Sequence, residues 1–233
     1  MSRIAIGDIH GCLLTFQKAL KEIKLSKKDN LILLGDYIDR QSNSKGVIDE
    51  IIKLRKEGYN IITLRGNHED MMMKSLLGDT QMQETWMYNG GVSCLKSYGY
   101  VSSGYMNPPW ESFIPEEHKQ FLNECPLIFA EWSEYVFVHA GLRFHAPNPI
   151  IDSTEYEMIW ERYYAVDNTK IEGRTLVTGH TPTWREQIID MAEIGSHIII
   201  DNGCCFNNDE YNHLCVFDLD KYELLFVKNC EEN

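Results

Sequence analysis

The stretch IITLRGNHED, Ile61 to Asp70, runs from an apolar segment straight into Gly, Asn, His and two acids. Two earlier stretches are built alike: IAIGDIHG, Ile4 to Gly11, and LILLGDYIDR, Leu31 to Arg40. Apolar runs this short, bounded by Gly and Asp, read as buried strands. The chain between them reads as helix. Leu13, Phe16, Leu20 and Ile23 recur at helical spacing between Cys12 and about Lys24, and Val47, Ile48, Ile51, Ile52 and Leu54 follow, with Gly58 as the stop. Strand, polar cluster and helix thus repeat three times, which implies a parallel sheet with crossover helices. Ligands of such sheets gather beyond the carboxyl ends of the strands, where all three clusters fall.

Two further clusters lie downstream. Tyr135 to Val138 is strand-like and ends at VHAG, Val138 to Gly141; Thr175 to Val177 ends at TGHT, Thr178 to Thr181. Between the two halves, Asp79 to Pro126 shows no strand pattern. It carries Gly90-Gly91, Pro108-Pro109 and the aromatics Trp86, Tyr88, Tyr98, Tyr100, Tyr105 and Trp110. This reads as a helical insertion capping one edge of a site, with a plain packing layer as the alternative. Met158, Ile159 and Tyr163 suggest a helix, and Ser196–Ile200, His213–Asp218 and Glu223–Val227 a closing antiparallel set. No linker or internal repeat divides the chain, so one domain over residues 1–233 is expected.

Composition narrows the class. With 233 residues and 43% hydrophobic content the chain is long enough for a sizeable core. A net charge of −13 and the lack of a basic, aromatic-lined stripe argue against nucleic acid as a partner. No apolar run is long enough to span a membrane, so no membrane role is expected. MSRIAIGD lacks a signal-peptide core, which points to a cytoplasmic location. The seven cysteines are scattered without a CxxC pair and read as reduced thiols. Oligomeric state is not written in the sequence.

The polar clusters share one chemistry. Asp8 and His10 stand two residues apart, which puts both side chains on one side of an extended turn. Asp36 offers a carboxylate that can bridge two ions, Asn67 an amide oxygen, and His139 and His180 imidazole nitrogens. Singly, Asp8 or Asn67 would be an ordinary turn former. Together, carboxylate, amide and imidazole without thiolate suit a hard or borderline divalent ion: Mn first, with Fe, Zn, Co or Ni as alternatives. Two such ions about 3.5–4 Å apart activate water and clamp a phosphate.

The set GDIHG, GDYIDR, LRGNHED, VHAG and VTGHTP resembles the phosphoprotein phosphatase family of calcineurin-like metallophosphoesterases, in particular its small bacterial and phage members. The likeness runs from residue 7 to 181, and IIIDNGC at 198–204 also fits. It implies an α/β fold, a central mixed β-sandwich flanked by helices, with the helical insertion around 79–126. It implies that Asp8, His10 and Asp36 hold one metal and that Asp36, Asn67, His139 and His180 hold the other. His68, steered by Asp39, would protonate the leaving group. Arg40 would grip phosphate oxygens, as would a second arginine, with Arg162 in a W-x-R pattern and Arg143 as competitors; Asn67 would lie against the phosphate too. The implied activity is a serine/threonine protein phosphatase in which a metal-bridging hydroxide attacks phosphorus directly. Its partner would be a phosphorylated protein or peptide. Symmetrical hydrolysis of a dinucleoside polyphosphate is the alternative, and phosphotyrosine is compatible. Two departures stand out: Gln41 where the family usually has Gly, and Asn202 where Thr is more usual.

Overall fold

The computed structural model describes residues 1–101, 110–162 and 165–231; Tyr105, Pro108, Pro109, Tyr163, Glu232 and Asn233 lie outside them. The three N-terminal apolar runs form strands β1 (Arg3–Ile6), β2 (Asn30–Leu33) and β3 (Asn60–Thr63), parallel and side by side in the order β3-β2-β1. A second sheet is built from β4 (Ile128–Phe129), β5 (Tyr135–Val138), β6 (Thr175–Thr178) and β7 (His197–Ile199) in that order. The chain then returns to the first sheet as β8 (His213–Asp218), antiparallel to β1, and β9 (Glu223–Lys228), antiparallel to β8.

Alternation along the strands decides the layers. Ile4, Ile6, Leu31 and Leu33 face one core, shared with Phe16, Val47, Ile48 and Met72 of the covering helices. Ala5, Ile32 and Leu34 face the other way, onto Phe137, Val177 and Ile198 of the second sheet and Ile200 just beyond it. Val136, Val138 and Leu176 turn outward to a third cluster with Met158 and Ile159. Both faces of each sheet are therefore apolar, as an α/β/β/α stack requires, because successive side chains of a strand point to opposite faces.

The helices over the first sheet are α1 (Leu13–Glu22), α2 (Ser44–Lys56) and α3 (Asn67–Leu76). They are followed by α4 (Thr80–Trp86), a π-helical turn at Met87–Gly91, α5 (Val92–Ser97) and α6 (Glu116–Glu124). Gly90, at φ 110°, takes a conformation open to glycine, and it breaks the helical path there. Short α7 (Pro149–Asp152) and α8 (Glu155–Trp160) precede β6, and α9 (Arg185–Ile194) follows it. The segment from residue 79 to 126 is helical and packs as core through Trp86, Cys94, Leu95 and Phe121. It also reaches the site described below, so cap and packing layer are the same element.

Two sequence expectations need correction, and one helix was not foreseen. β7 does not join the antiparallel set: it pairs in parallel with β6, because α9 carries the chain back across the sheet between them. α9 itself, REQIIDMAEI, carries too weak an apolar stripe to be expected from the sequence. α8 ends at Trp160, so Arg162 lies beyond the helix rather than on it.

Candidate metal centre and active site

The carboxyl ends of β1, β2, β3, β5 and β6 deliver the polar clusters to one buried place. Asp36 lies between two histidines, with Oδ2 3.6 Å from His10 Nε2 and Oδ1 3.4 Å from His139 Nε2. Asn67 Oδ1 is 3.1 Å from His139 Nε2 and 3.0 Å from His180 Nδ1. Asp8 enters beside His180, whose backbone N–H donates to both carboxylate oxygens at 3.0 and 3.2 Å. Asp8, His10, Asp36, Asn67, His139 and His180 thus form one connected cluster, none more than 6% exposed.

The donor set fits cations. His139 Nδ1 lies 2.8 Å from the Leu34 carbonyl and His10 Nδ1 lies 3.0 Å from the Ile38 carbonyl. A carbonyl only accepts, so each Nδ1 carries the proton and each Nε2 presents a lone pair. Those lone pairs face the Asp36 carboxylate and the Asn67 amide oxygen, which are also acceptors. Burial keeps the rings neutral: it lowers His139, takes His10 to about 3 with the help of the His68 charge, and takes His180 to about 2 with the help of His139. Acceptors that converge in a buried place are what a cation satisfies. The acids agree. Burial, then the charges of Asp201 and Asp36, pushes the Asp8 carboxyl well above its usual range, and burial takes Asp201 to about 6. Asp36 runs the other way: burial favours its neutral form, but the positive charge that His139, His68, His10 and His180 carry when protonated outweighs burial and holds it low. Two groupings have ligand atoms close enough for one ion each, His10–Asp36–His68 and Asp36–His139–His180, and Asp36 is common to both.

Distance alone admits His68 to the first grouping, with Nε2 3.9 Å from Asp36 Oδ2. Its partners set it apart. Burial would lower the ring, but Asp36 and the hydrogen bond to Asp39 outweigh burial and raise it. His68 Nδ1 sits 2.6 Å from Asp39 Oδ2, a pairing that favours the protonated ring.

The arginines divide cleanly. Arg40 and Arg162 both line a cleft of ≈ 260 Å³ over the cluster, together with Asn89, Trp160, Asp201 and Phe206. Arg162 Nη1 is anchored on the His180 carbonyl at 3.2 Å. Arg143 is elsewhere, its Nε bound to Glu157 at 2.6 Å beside a separate recess. Arg65 bonds the Asn123 carbonyl. Asp201 opens a turn by accepting the Gly203 N–H and also faces the cleft.

Two residues in supporting positions lay beyond sequence reasoning. Glu69 is fully buried. Its carboxylate accepts the backbone N–H groups of Asp36, Tyr37 and Gly66 at 2.8–2.9 Å, tying the loop after β2 to the loop after β3. Trp86, noted only among the aromatics of the insertion, donates its indole N–H to Asp39. Backbone strain is concentrated here as well. Of nine non-glycine residues at positive φ among those described, His10, Asp36, Asp39, Arg40 and His180 belong to the site. Close approach explains Gly66 and Gly179: a Cβ at either would stand 2.1 Å from a carboxylate oxygen, of Asp36 and of Asp8 respectively.

A buried cluster of side chains able to hold two cations at the edge of a β-sandwich, faced by a His–Asp pair and two arginines, is the arrangement of a metallophosphoesterase. The sequence profile of the calcineurin-like phosphoesterases matches residues 1–221, and the chain belongs to that family, in its phosphoprotein phosphatase branch. Serine/threonine-protein phosphatase 1 of Salmonella typhimurium is 34% identical over 87 residues, 37% of this chain and 37% of that one. The symmetrical bis(5'-nucleosyl)-tetraphosphatase of Wigglesworthia glossinidia brevipalpis is 41% identical over 70 residues, 30% of this chain and 25% of that one. The chain therefore matches well under half the length of either relative. A solved candidate diadenosine tetraphosphatase superposes with a TM-score of 0.67 at 20% identity, covering 99% of this chain and 94% of its own. Among the described residues no helix is long and apolar enough to cross a membrane.

Proposed function

We propose that the chain is a dimetal-dependent phosphomonoesterase acting on phosphoserine and phosphothreonine in proteins. The observation that carries this reading is the Asp36 carboxylate lying between His10 and His139, at 3.6 and 3.4 Å, with the His68–Asp39 pair beside it. Asp8, His10 and Asp36 would hold one ion, and Asp36, Asn67, His139 and His180 the other, with Mn the first candidate. When bound, such ions activate water at neutral pH and neutralise phosphoryl charge. The chain's own groups do the rest. Arg40 and Arg162 draw the phosphate into the cleft and orient its oxygens through their forks of donors. As the water oxygen bonds to phosphorus, the bond to the serine or threonine oxygen breaks. That oxygen takes the proton of His68 Nε2, and the water's proton restores the ring. Asp39 keeps the Nδ1 proton and the ring's aim.

No cysteine serves as nucleophile in this scheme. Cys205 lines the cleft, but burial raises its thiol well above neutrality. The likeness in sequence to a symmetrical tetraphosphatase favours a second reading, cleavage of a dinucleoside tetraphosphate. One assay separates them: kcat/KM on a phosphoserine peptide beside a dinucleoside tetraphosphate, each with Mn and with excess chelator. The proposal expects the peptide to be preferred and chelator to abolish turnover. A large preference for the nucleotide supports the second reading, and full activity in chelator defeats both.

A further inference from the structure

Asp39 is fully buried and held from two sides. His68 Nδ1 meets its Oδ2, and the indole Nε1–H of Trp86 donates to Oδ1 at 2.9 Å and to Oδ2 at 3.1 Å. An indole N–H can only donate, so it leaves the carboxylate one orientation, with its oxygens shared between ring and indole. Trp86 is itself fixed. It is fully buried at the end of α4, with Trp110 edge-on at 5.9 Å, and a Cβ on Gly91 would touch its ring at 2.8 Å. On its other side the π-helical turn presses on the Asp39–Arg40 backbone: a Cβ on Gly90 would lie 2.6 Å from Arg40 N. That backbone is in the left-handed region at both residues, φ 71° and 66°.

We infer that Trp86 is a positioning residue for proton delivery: its N–H holds Asp39, Asp39 holds His68, and the helical segment Thr80–Ser97 thereby sets how well the departing oxygen is protonated. The inference rests on the reading of His68 as the acid, and it assigns the segment a role in chemistry besides packing.

The test compares kcat on a phosphoserine peptide, whose alkoxide needs a proton to leave, with kcat on 2,4-dinitrophenyl phosphate, whose phenolate does not. Both are measured for the wild-type enzyme, Trp86→Phe, His68→Asn and the double variant, all loaded with Mn. Trp86→Phe is expected to lose about tenfold in kcat on the peptide with KM unchanged, and less than about twofold on the dinitrophenyl ester. In the His68→Asn background it is expected to cost nothing further. Because both substrates report on the same molecules, partial unfolding lowers both alike and leaves their ratio untouched. If Trp86→Phe does not fold, benzothienylalanine placed at position 86 removes the N–H and keeps the ring's shape, with the same result expected. Equal losses on both substrates, or a further loss on top of His68→Asn, would overturn the role of Trp86. If His68→Asn itself slows both substrates equally, the reading of His68 as the acid fails, and the inference with it.

Discussion

Arg162 and Arg143 show how little a residue type says without its neighbours. Both follow the HAG cluster, and sequence alone left them as competitors for the phosphate. Arg143 is neutralised by Glu157, whereas Arg162 leans on the His180 and Thr181 oxygens and lines the cleft. Replacing Arg162 by Ala is expected to lower kcat/KM on a phosphopeptide by about 10- to 100-fold, at 1.4 kcal/mol per tenfold, while Arg143→Ala stays within about twofold. Steady-state kinetics on the two variants checks this, and a reversed order would move the phosphate site to the other recess. The residues of the buried cluster were legible because Asp, His and Asn stood at strand ends beside glycine. Glu69 and Trp86 were not. The partners of Glu69 include the backbone of a loop 32 and 33 residues away, and Trp86 meets an acid 47 residues away. Only the folded sheet brings them near.

At the scale of elements, the site depends on two loops staying in register. The turns after β2 and β3 present Asp36 and Asn67, and the single carboxylate of Glu69 joins them beneath. Glu69→Ala strands three buried N–H groups. It is expected to destabilise the protein by about 3 kcal/mol and to weaken Mn binding, because both ligand loops lose their tie. Chemical denaturation and metal titration of that variant give the two readouts; unchanged stability would mean the loops are held by the strands alone. The β1–β2–β3 sheet was readable because its helices carry clear apolar stripes and the three repeats agree. The second sheet was harder. β4 has two residues, and α9 buries only Ile188 and Ala192, so no periodicity announced the crossover that makes β7 parallel.

For the molecule as a whole, the site is a store of buried charge that cations relieve. Burial, then the charge of Asp36, raises Glu69 from 4.5 to about 8, and burial raises Asp201 from 3.8 to about 6. A carboxyl raised on folding contributes stability in full below its unfolded value and loses it as pH climbs through the folded value. His10 and His180, lowered from 6.5, act in the opposite sense, and only below that pH. Metal-free protein is therefore expected to lose thermal stability between about pH 6.5 and 8.5, chiefly through Glu69, and saturating Mn to raise Tm and flatten the trend. Differential scanning fluorimetry across that range decides it, and a metal-free Tm that rises with pH would contradict the charge assignment. The most direct test counts ions. Chelator-stripped protein is reloaded with Mn, freed of excess, and analysed for metal per chain. The expected result is two ions in the wild type, one in His10→Ala and one in His180→Ala, with Asp36→Asn impaired at both. A wild-type chain that retains no ion, or His10 and His180 variants that retain both, would contradict the shared-carboxylate centre on which the proposed catalysis rests.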